Sequence, residues 1–335
     1  MTDRERERTM KAIRFLPMAA GAAIIAATGA SAQSTPQPVF NAPADVAAIK
    51  EVEEILATEL DVDKILPLYA DDATVLDLFA PGIFKGKDAI RAGFAPQLGA
   101  IKSLNKTTPE MIVATNGTFG CVASQVAYHT EMKDGTKFAM NVRVLDAFKK
   151  IDGKWRVVQQ HMSFPVDPAT MNALTAAPIQ PRTITWSAQP LAPISTTPEK
   201  AKAEIKEFMD VGGASVGLEK LMKYYGPGDD TLLYDAFSPK ALIGKKEIAD
   251  FYAPIMGSYT GITLEMPMFE VDSDGSFGVQ IDTQELTLTM KDGSKRNVAL
   301  RQSDCMRRVD GKWYSFLEMV SYVTDAKTMK AQITH

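Results

Sequence analysis

The chain repeats itself, and this repeat limits what it can fold into more than any other feature. Lys133-Asp-Gly recurs as Lys291-Asp-Gly, and Asp152-Gly-Lys-Trp155 as Asp310-Gly-Lys-Trp313, both at an offset of 158. Asp77, Phe79, Pro81, Gly86 and Ile90 hold the same offset to Asp235, Phe237, Pro239, Gly244 and Ile248. Residues 77–171 align with 235–329 without a gap, with 29 identities over 95 positions. Upstream the offset becomes 156: Val62 to Leu66 and Tyr69 face Leu218 to Met222 and Tyr225. The second copy carries two extra residues near Gly226-Pro227-Gly228. A register held this long marks a duplicated domain. The 335 residues suit two domains of ordinary size.

Within each copy the pattern runs from helices to strands. Ala44 to Leu60 places Val46, Ile49, Val52, Ile55 and Leu56 at helical spacing behind Pro43. Val62 to Tyr69 continues as a short helix, Ala73 to Leu78 is a strand candidate, and Lys87 to Leu98 is a third helix with Ile90 and Phe94 inward. Period-two runs follow at Phe119–Met132, Phe138–Phe148 and Trp155–Phe164. Asn116-Gly117, Asp134-Gly135 and Asp152-Gly153 stand where hairpins require positive φ, and the second copy repeats them. Met266 and Met268 flank Pro267 on a candidate edge strand. The expected fold class is α+β: two tandem cone-shaped domains, each with about three helices on a curved antiparallel sheet.

The expected boundaries are a leader at 1–32, an extension at 33–43, domain 1 at 44–167, a proline-rich linker at 168–195, domain 2 at 196–325 and a tail at 326–335. Arg4, Arg6, Arg8, Lys11 and Arg14 precede an apolar run from Phe15 to Ala27 and an Ala30-Ser31-Ala32 site. That order reads as a cleavable signal peptide, with Met1 or Met10 as the start. No Cys stands at the cleavage point to carry a lipid anchor, and no later stretch is apolar enough to span a bilayer. The expected location is periplasmic or secreted. The net charge of −4, from 37 basic and 41 acidic residues, argues against nucleic acid. Cys121 and Cys305 are expected as two buried thiols in different domains, although an oxidising compartment would permit pairing. Trp186 in the linker is expected to dock on a domain.

The segment Leu68-Tyr-Ala-Asp-Asp-Ala-Thr-Val-Leu-Asp77 with Gly86-Lys-Asp-Ala-Ile90 resembles the nuclear transport factor 2-like superfamily, including SnoaL-like and ketosteroid isomerase-like proteins. Val144-Leu-Asp146, Asp152-Gly-Lys-Trp155 and His161-Met-Ser163 fit the same pattern. The resemblance covers both copies. It implies that Asp77, with Asp235 in the second copy, is a general base. Asp146, with Asp304, would be a protonated hydrogen-bond donor to an enolate oxygen. The same resemblance places a tyrosine on the first helix, where this chain has Glu53, with Phe208 or a neighbour in the second copy. A steroid isomerase proper is therefore not expected. Tyr69, Tyr225 and Tyr252 match supporting tyrosines.

An apolar cone raises a carboxyl's pKa by desolvation, which suits such acid–base work. Asp77 is equally placed to accept bonds from the backbone of the Pro81–Gly82 turn. His161 shares a strand face with Val157, Gln159 and Ser163, which lines either a cavity or a sheet–sheet interface. Arg143 and Arg301 either hold an anion or pair with Asp146 and Asp304. The expected catalytic residues are Asp77, Asp146 and His161. The expected substrate contacts are Tyr69, Phe94, Tyr128, His129, Arg143, Asp235, Tyr252 and Asp304. No phosphate-cradling glycine loop, nucleophile elbow or metal-ligand spacing occurs, so cofactor-free, metal-free chemistry is expected. Function is thus read as binding of a small apolar organic ligand, with isomerase or lyase chemistry. The alternatives are a non-enzymatic periplasmic binding or scaffold protein, or a structural domain with filled cones. The two domains are expected to pack as an intramolecular pseudo-dimer, with homo-oligomerisation open.

Overall fold

The computed structural model describes residues 39–80, 82–184, 186, 189–190, 194, 196–226 and 228–333. The leader and cleavage site, most of the N-terminal extension and part of the linker lie outside the described residues. In the first copy, α1 (Pro43–Thr58) opens with proline at its N-terminus and buries Ile49 and Glu53, four residues apart on one face. A short α2 (Val62–Ile65) and α3 (Gly86–Ala100) complete the helices. Gly86 enters α3 at φ 76°, where a Cβ would lie 3.2 Å from the Asp71 carbonyl oxygen.

The strands are β1 (Tyr69–Leu76), β2 (Phe84–Lys85), β3 (Ile101–Thr115), β4 (Phe119–Met132), β5 (Lys137–Ile151) and β6 (Lys154–Ser163). They form one six-stranded sheet in the order β2-β1-β6-β5-β4-β3. Every pairing is antiparallel except β1 with β6, so the sheet is mixed.

The second copy repeats this design. Its helices are α4 (Pro198–Gly213), α5 (Leu218–Leu221) and α6 (Gly244–Met256). Its strands are β7 (Leu232–Tyr234), β8 (Leu242–Ile243), β9 (Tyr259–Ser273), β10 (Phe277–Met290), β11 (Lys295–Val309) and β12 (Lys312–Ser321). The sheet order β8-β7-β12-β11-β10-β9 is the same, with β7 and β12 parallel. Two α+β cones in tandem are therefore present.

The long edge strand β3 goes beyond the clearest period-two runs, because Lys102, Asn105, Lys106 and Pro109 interrupt its apolar residues. Pro109 sits in a register shift between Thr107 and Glu110, and Pro267 sits in the matching shift on edge strand β9. An edge bulge is where a residue without an N–H does least harm to a ladder. Asp152-Gly153 and Asp310-Gly311 turn their hairpins with both residues at positive φ, 50° and 74° in one copy and 50° and 77° in the other.

Each sheet covers its helices with one face and meets the other sheet with the opposite face. The layer between the sheets takes Phe119, Ala123 and Leu145 from one domain and Phe277, Val279, Phe316 and Met319 from the other. Cys121 and Cys305 lie in this layer and are joined in a disulfide across it, with Cα atoms 6.4 Å apart. This corrects the expectation of two separate thiols. The strands belong to different domains, but face-to-face packing brings them within bridging distance. Trp186 docks on the same layer. Its ring meets Phe316 edge-on at 5.6 Å, and its indole N–H donates to Asp230 Oδ2 at 3.1 Å.

Candidate functional site

The first cone encloses a cavity of about 550 Å³. Phe94 from α3, Leu104 from β3, Val126 from β4, Met140, Val142 and Val144 from β5 and Met162 from β6 supply apolar walls. Phe138 and Ala326, both exposed, mark where it opens to solvent. Its deep end is polar and carries Glu53, Tyr69, Tyr128, Asp146 and Gln160.

These groups form a short chain of contacts. Tyr69 Oη donates to Gln160 Oε1 at 2.8 Å, and Gln160 Nε2 donates to Asp146 Oδ2 at 2.8 Å. Glu53 Oε1 and Asp146 Oδ1 are buried without a hydrogen-bond partner, and the two carboxyls are close enough for each to shift the other. Burial, then the Asp146 charge, holds the Glu53 carboxyl well above the usual carboxylate range; Lys106 opposes this only weakly. Burial pushes Asp146 up to about 7, against the bonds from Gln160 and Glu53. Burial thus favours the protonated form of both carboxyls, and the two titrate as a pair. Among the described residues that line the cavity, none is Lys, Arg or His.

Asp77 also lines the cavity, but its Oδ1 accepts the Phe79 and Ala80 amides at 2.9 and 3.1 Å. Tyr69, Phe94 and Tyr128 stand in the wall, and burial raises both tyrosine hydroxyls above their ordinary range. His129 is exposed and does not line the cavity.

His161 is absent from the cavity lining and lies fully buried between the sheets, its Nδ1 and Nε2 standing 2.9 and 2.7 Å from Ser303 Oγ and Ser321 Oγ of the second domain. A bulge decides this. Phe148 pairs with Val157 and Ala147 with Gln159, so Val158 is the extra residue. Trp155 and Val157 face the helices, whereas beyond the bulge the parity flips and Gln160 and Met162 take the cone side. Burial, then the charges of Arg301 and Arg143, keeps the His161 imidazole neutral.

The two arginines correct another expectation. Neither pairs with the aspartate of its own copy. Arg143 Nη1 donates to the Asp235 and Ser238 carbonyls at 2.7 and 3.2 Å, and Arg301 Nη1 donates to the Asp77 carbonyl at 2.5 Å. Each is a reciprocal clasp on the other domain, lowered to about 10 by burial.

The second cone holds different chemistry. Glu53 is replaced by Met209, whose sulfur accepts the Tyr224 hydroxyl at 2.7 Å, and the adjacent Phe208 stacks on Tyr224 at 4.6 Å between centroids. Val122, Val144 and Val157 are replaced by Gln280, Gln302 and Ser315, and all three donate to Asp304, at 2.6, 2.8 and 2.5 Å. Tyr252 Oη donates to Asp235 Oδ2 at 3.0 Å. Burial still raises Asp304, to about 6, and holds Asp282 and Glu318 well above their ordinary values. A wider depression of about 1010 Å³ lies between α4 and the β11–β12 turn. Its Glu204 is occupied by the Trp313 N–H at 3.1 Å and by Arg308, leaving no facing acid pair.

The sequence reading passed over two residues that matter here. Glu53 was visible only as a missing tyrosine, and its signal was the count back from Asp77. Strand alternation sets Gln160 opposite His161, but no local pattern says which face meets the cavity.

A hollow α+β cone with an acid pair at its deep end defines the class. The family model for the SnoaL-like domain matches residues 47–167, and the second copy repeats the architecture of that segment. Solved structures include an NTF2-like protein of unknown function from Pseudomonas putida KT2440, 19% identical, covering 42% of this chain and 99% of its own, with a TM-score of 0.37. An NTF2-like superfamily protein from Salmonella enterica serovar Typhimurium is 18% identical over 37% of this chain and 91% of its own, with a TM-score of 0.33. A protein described as a dehydratase of the NTF2-like family, from Streptomyces avermitilis, is 12% identical over 36% of this chain and 97% of its own, with a TM-score of 0.33. Among curated proteins none matches the chain.

Proposed function

We propose that the first domain binds a small, neutral, largely apolar organic molecule and moves a proton on it, in an isomerisation, elimination or lyase step beside a carbonyl. The carrying observation is the facing pair Glu53 and Asp146 at the deep end of an apolar cavity, with Asp146 pushed up to about 7. Ionised Asp146 takes a proton from carbon. The electron pair left behind moves onto the carbonyl oxygen, which accepts a hydrogen bond from protonated Glu53. The proton then returns to another carbon, or a leaving group departs. A base titrating near the working pH is the efficient choice. A lining of carboxyls without cations disfavours anionic substrates. Asp77 lines the same cavity with its Oδ1 held in a turn.

The test is turnover of a panel of ketones and β-substituted aromatics by the native protein, Glu53→Gln and Asp146→Asn. Each substitution should lower kcat by about a hundredfold or more. Full turnover in both variants, or none by the native protein across the panel, overturns the reading. The second domain favours a scaffold role, because Asp304 is saturated by Ser315, Gln280 and Gln302. Export is part of the same proposal. The Cys121–Cys305 bridge suits an oxidising compartment, and among the described residues no helix is long and apolar enough to cross a membrane. Fractionation of cells, with the N-terminus of the recovered protein sequenced, tests it.

A further inference from the structure

The chain leaving each sheet crosses to the other domain. After β6, the Val166 amide donates to the Ala236 carbonyl at 2.8 Å; after β12, the Thr324 amide donates to the Leu78 carbonyl at 3.2 Å. These are the same residues 158 apart, so two straps are exchanged. They clasp each other at their far ends. The Ala173 amide donates to the Met329 carbonyl and the Ala331 amide to the Met171 carbonyl, both at 2.8 Å.

The strap from the second domain ends at the first domain's cavity. Ala326 is part of the cavity lining, and Met329 packs against the cluster of Leu78, Val126, Val142, Val144 and Phe164. Its turn is stiff. Asp325 Oδ1 accepts the Lys327 and Thr328 amides at 3.0 and 2.7 Å and the Thr328 hydroxyl at 2.8 Å. Met329 reverses the chain at φ 55°. A cavity edge built from a braced turn does not yield easily to a bulky ligand.

We propose that the second domain completes the first domain's cavity, and that Ala326 on the exchanged strap sets the size of molecule admitted. The proposal rests on the cavity being the ligand site. Alanine there leaves the mouth wide, and a larger side chain narrows it without touching Glu53 or Asp146.

Prodan, a neutral fluorescent naphthyl ketone, is the probe, with emission that shifts to the blue in apolar surroundings. The full chain should bind it with that shift. Ala326→Trp should weaken binding by about tenfold or more, the cost of overfilling a packed space. Acetophenone, one ring smaller, should keep its affinity by calorimetry. Pro168→Trp, at the matching exposed position of the other strap, should change neither. Far-UV circular dichroism confirms that each variant folds. Unchanged prodan binding in Ala326→Trp, equal loss in Pro168→Trp, or loss of acetophenone together with prodan overturns the strap's role and leaves the cavity reading standing. If the native chain binds neither ketone, the cavity reading falls and takes this one with it.

Discussion

A carboxyl removed from water, with no cation beside it, keeps its proton well above its ordinary pKa. Glu53 and Asp146 are both fully buried; the Asp146 charge raises Glu53 further against a small opposing effect of Lys106, and at Asp146 burial outweighs the bonds from Gln160 and Glu53. The native state therefore holds more protons than the unfolded chain once the pH exceeds the ordinary carboxyl range. Stability present below the ordinary carboxylate range is lost as the pH rises through about 7. The melting temperature should fall over this window, and Asp146→Asn should flatten the fall; an unchanged slope contradicts the assignment. Asp282, Asp304 and Glu318 add the same sign from the second domain.

Gly120 makes a second prediction at this scale. A Cβ there would stand 2.6 Å from Ile49 Cδ1, and the equivalent Gly278 would meet Ile205 Cδ1 at 2.4 Å. Alanine at either should cost about 1–3 kcal/mol in denaturant unfolding. Asp146 was legible in the sequence by resemblance. Glu53 was legible only as a departure, because a carboxyl on a helix looks solvated until the partner that buries it is known.

At the scale of elements, hairpin turns, helices and the proline-marked edge strand β9 were readable, since each is set by neighbours in sequence. The bulge at Val158 was not. It arises from fitting a curved sheet, and one extra residue exchanges the two faces of the strand beyond it. His161→Ala should consequently lower stability by about 1–3 kcal/mol, by leaving Ser303 buried without its partner and Ser321 with only the Arg301 guanidinium. Turnover and its pH profile should stay as in the native protein. A profile that loses a limb near neutrality would return His161 to the chemistry.

At the scale of the molecule, the disulfide spans a sequence separation of 184 and ties two sheets that also share a hydrophobic layer. By loop entropy alone its loss costs about 5 kcal/mol, an upper figure because the linker already tethers the halves. Replacing Cys121 and Cys305 with Ala should lower the denaturation midpoint, and added reductant should then have no further effect. At the pseudo-symmetric position Ala147 and Val279 share the same layer with no bridge, so the two halves are not redundant.

The duplication, the fold of each copy and the kinds of turn followed from sequence alone, because repeat register and hydrophobic period are local properties that survive without coordinates. Which face of each sheet became interior, which cysteine met which, and that one domain's tail walls the other's cavity were decided by tertiary structure. Those outcomes depend on how two curved surfaces pack, and a strand's pattern does not encode the identity of the surface opposite it.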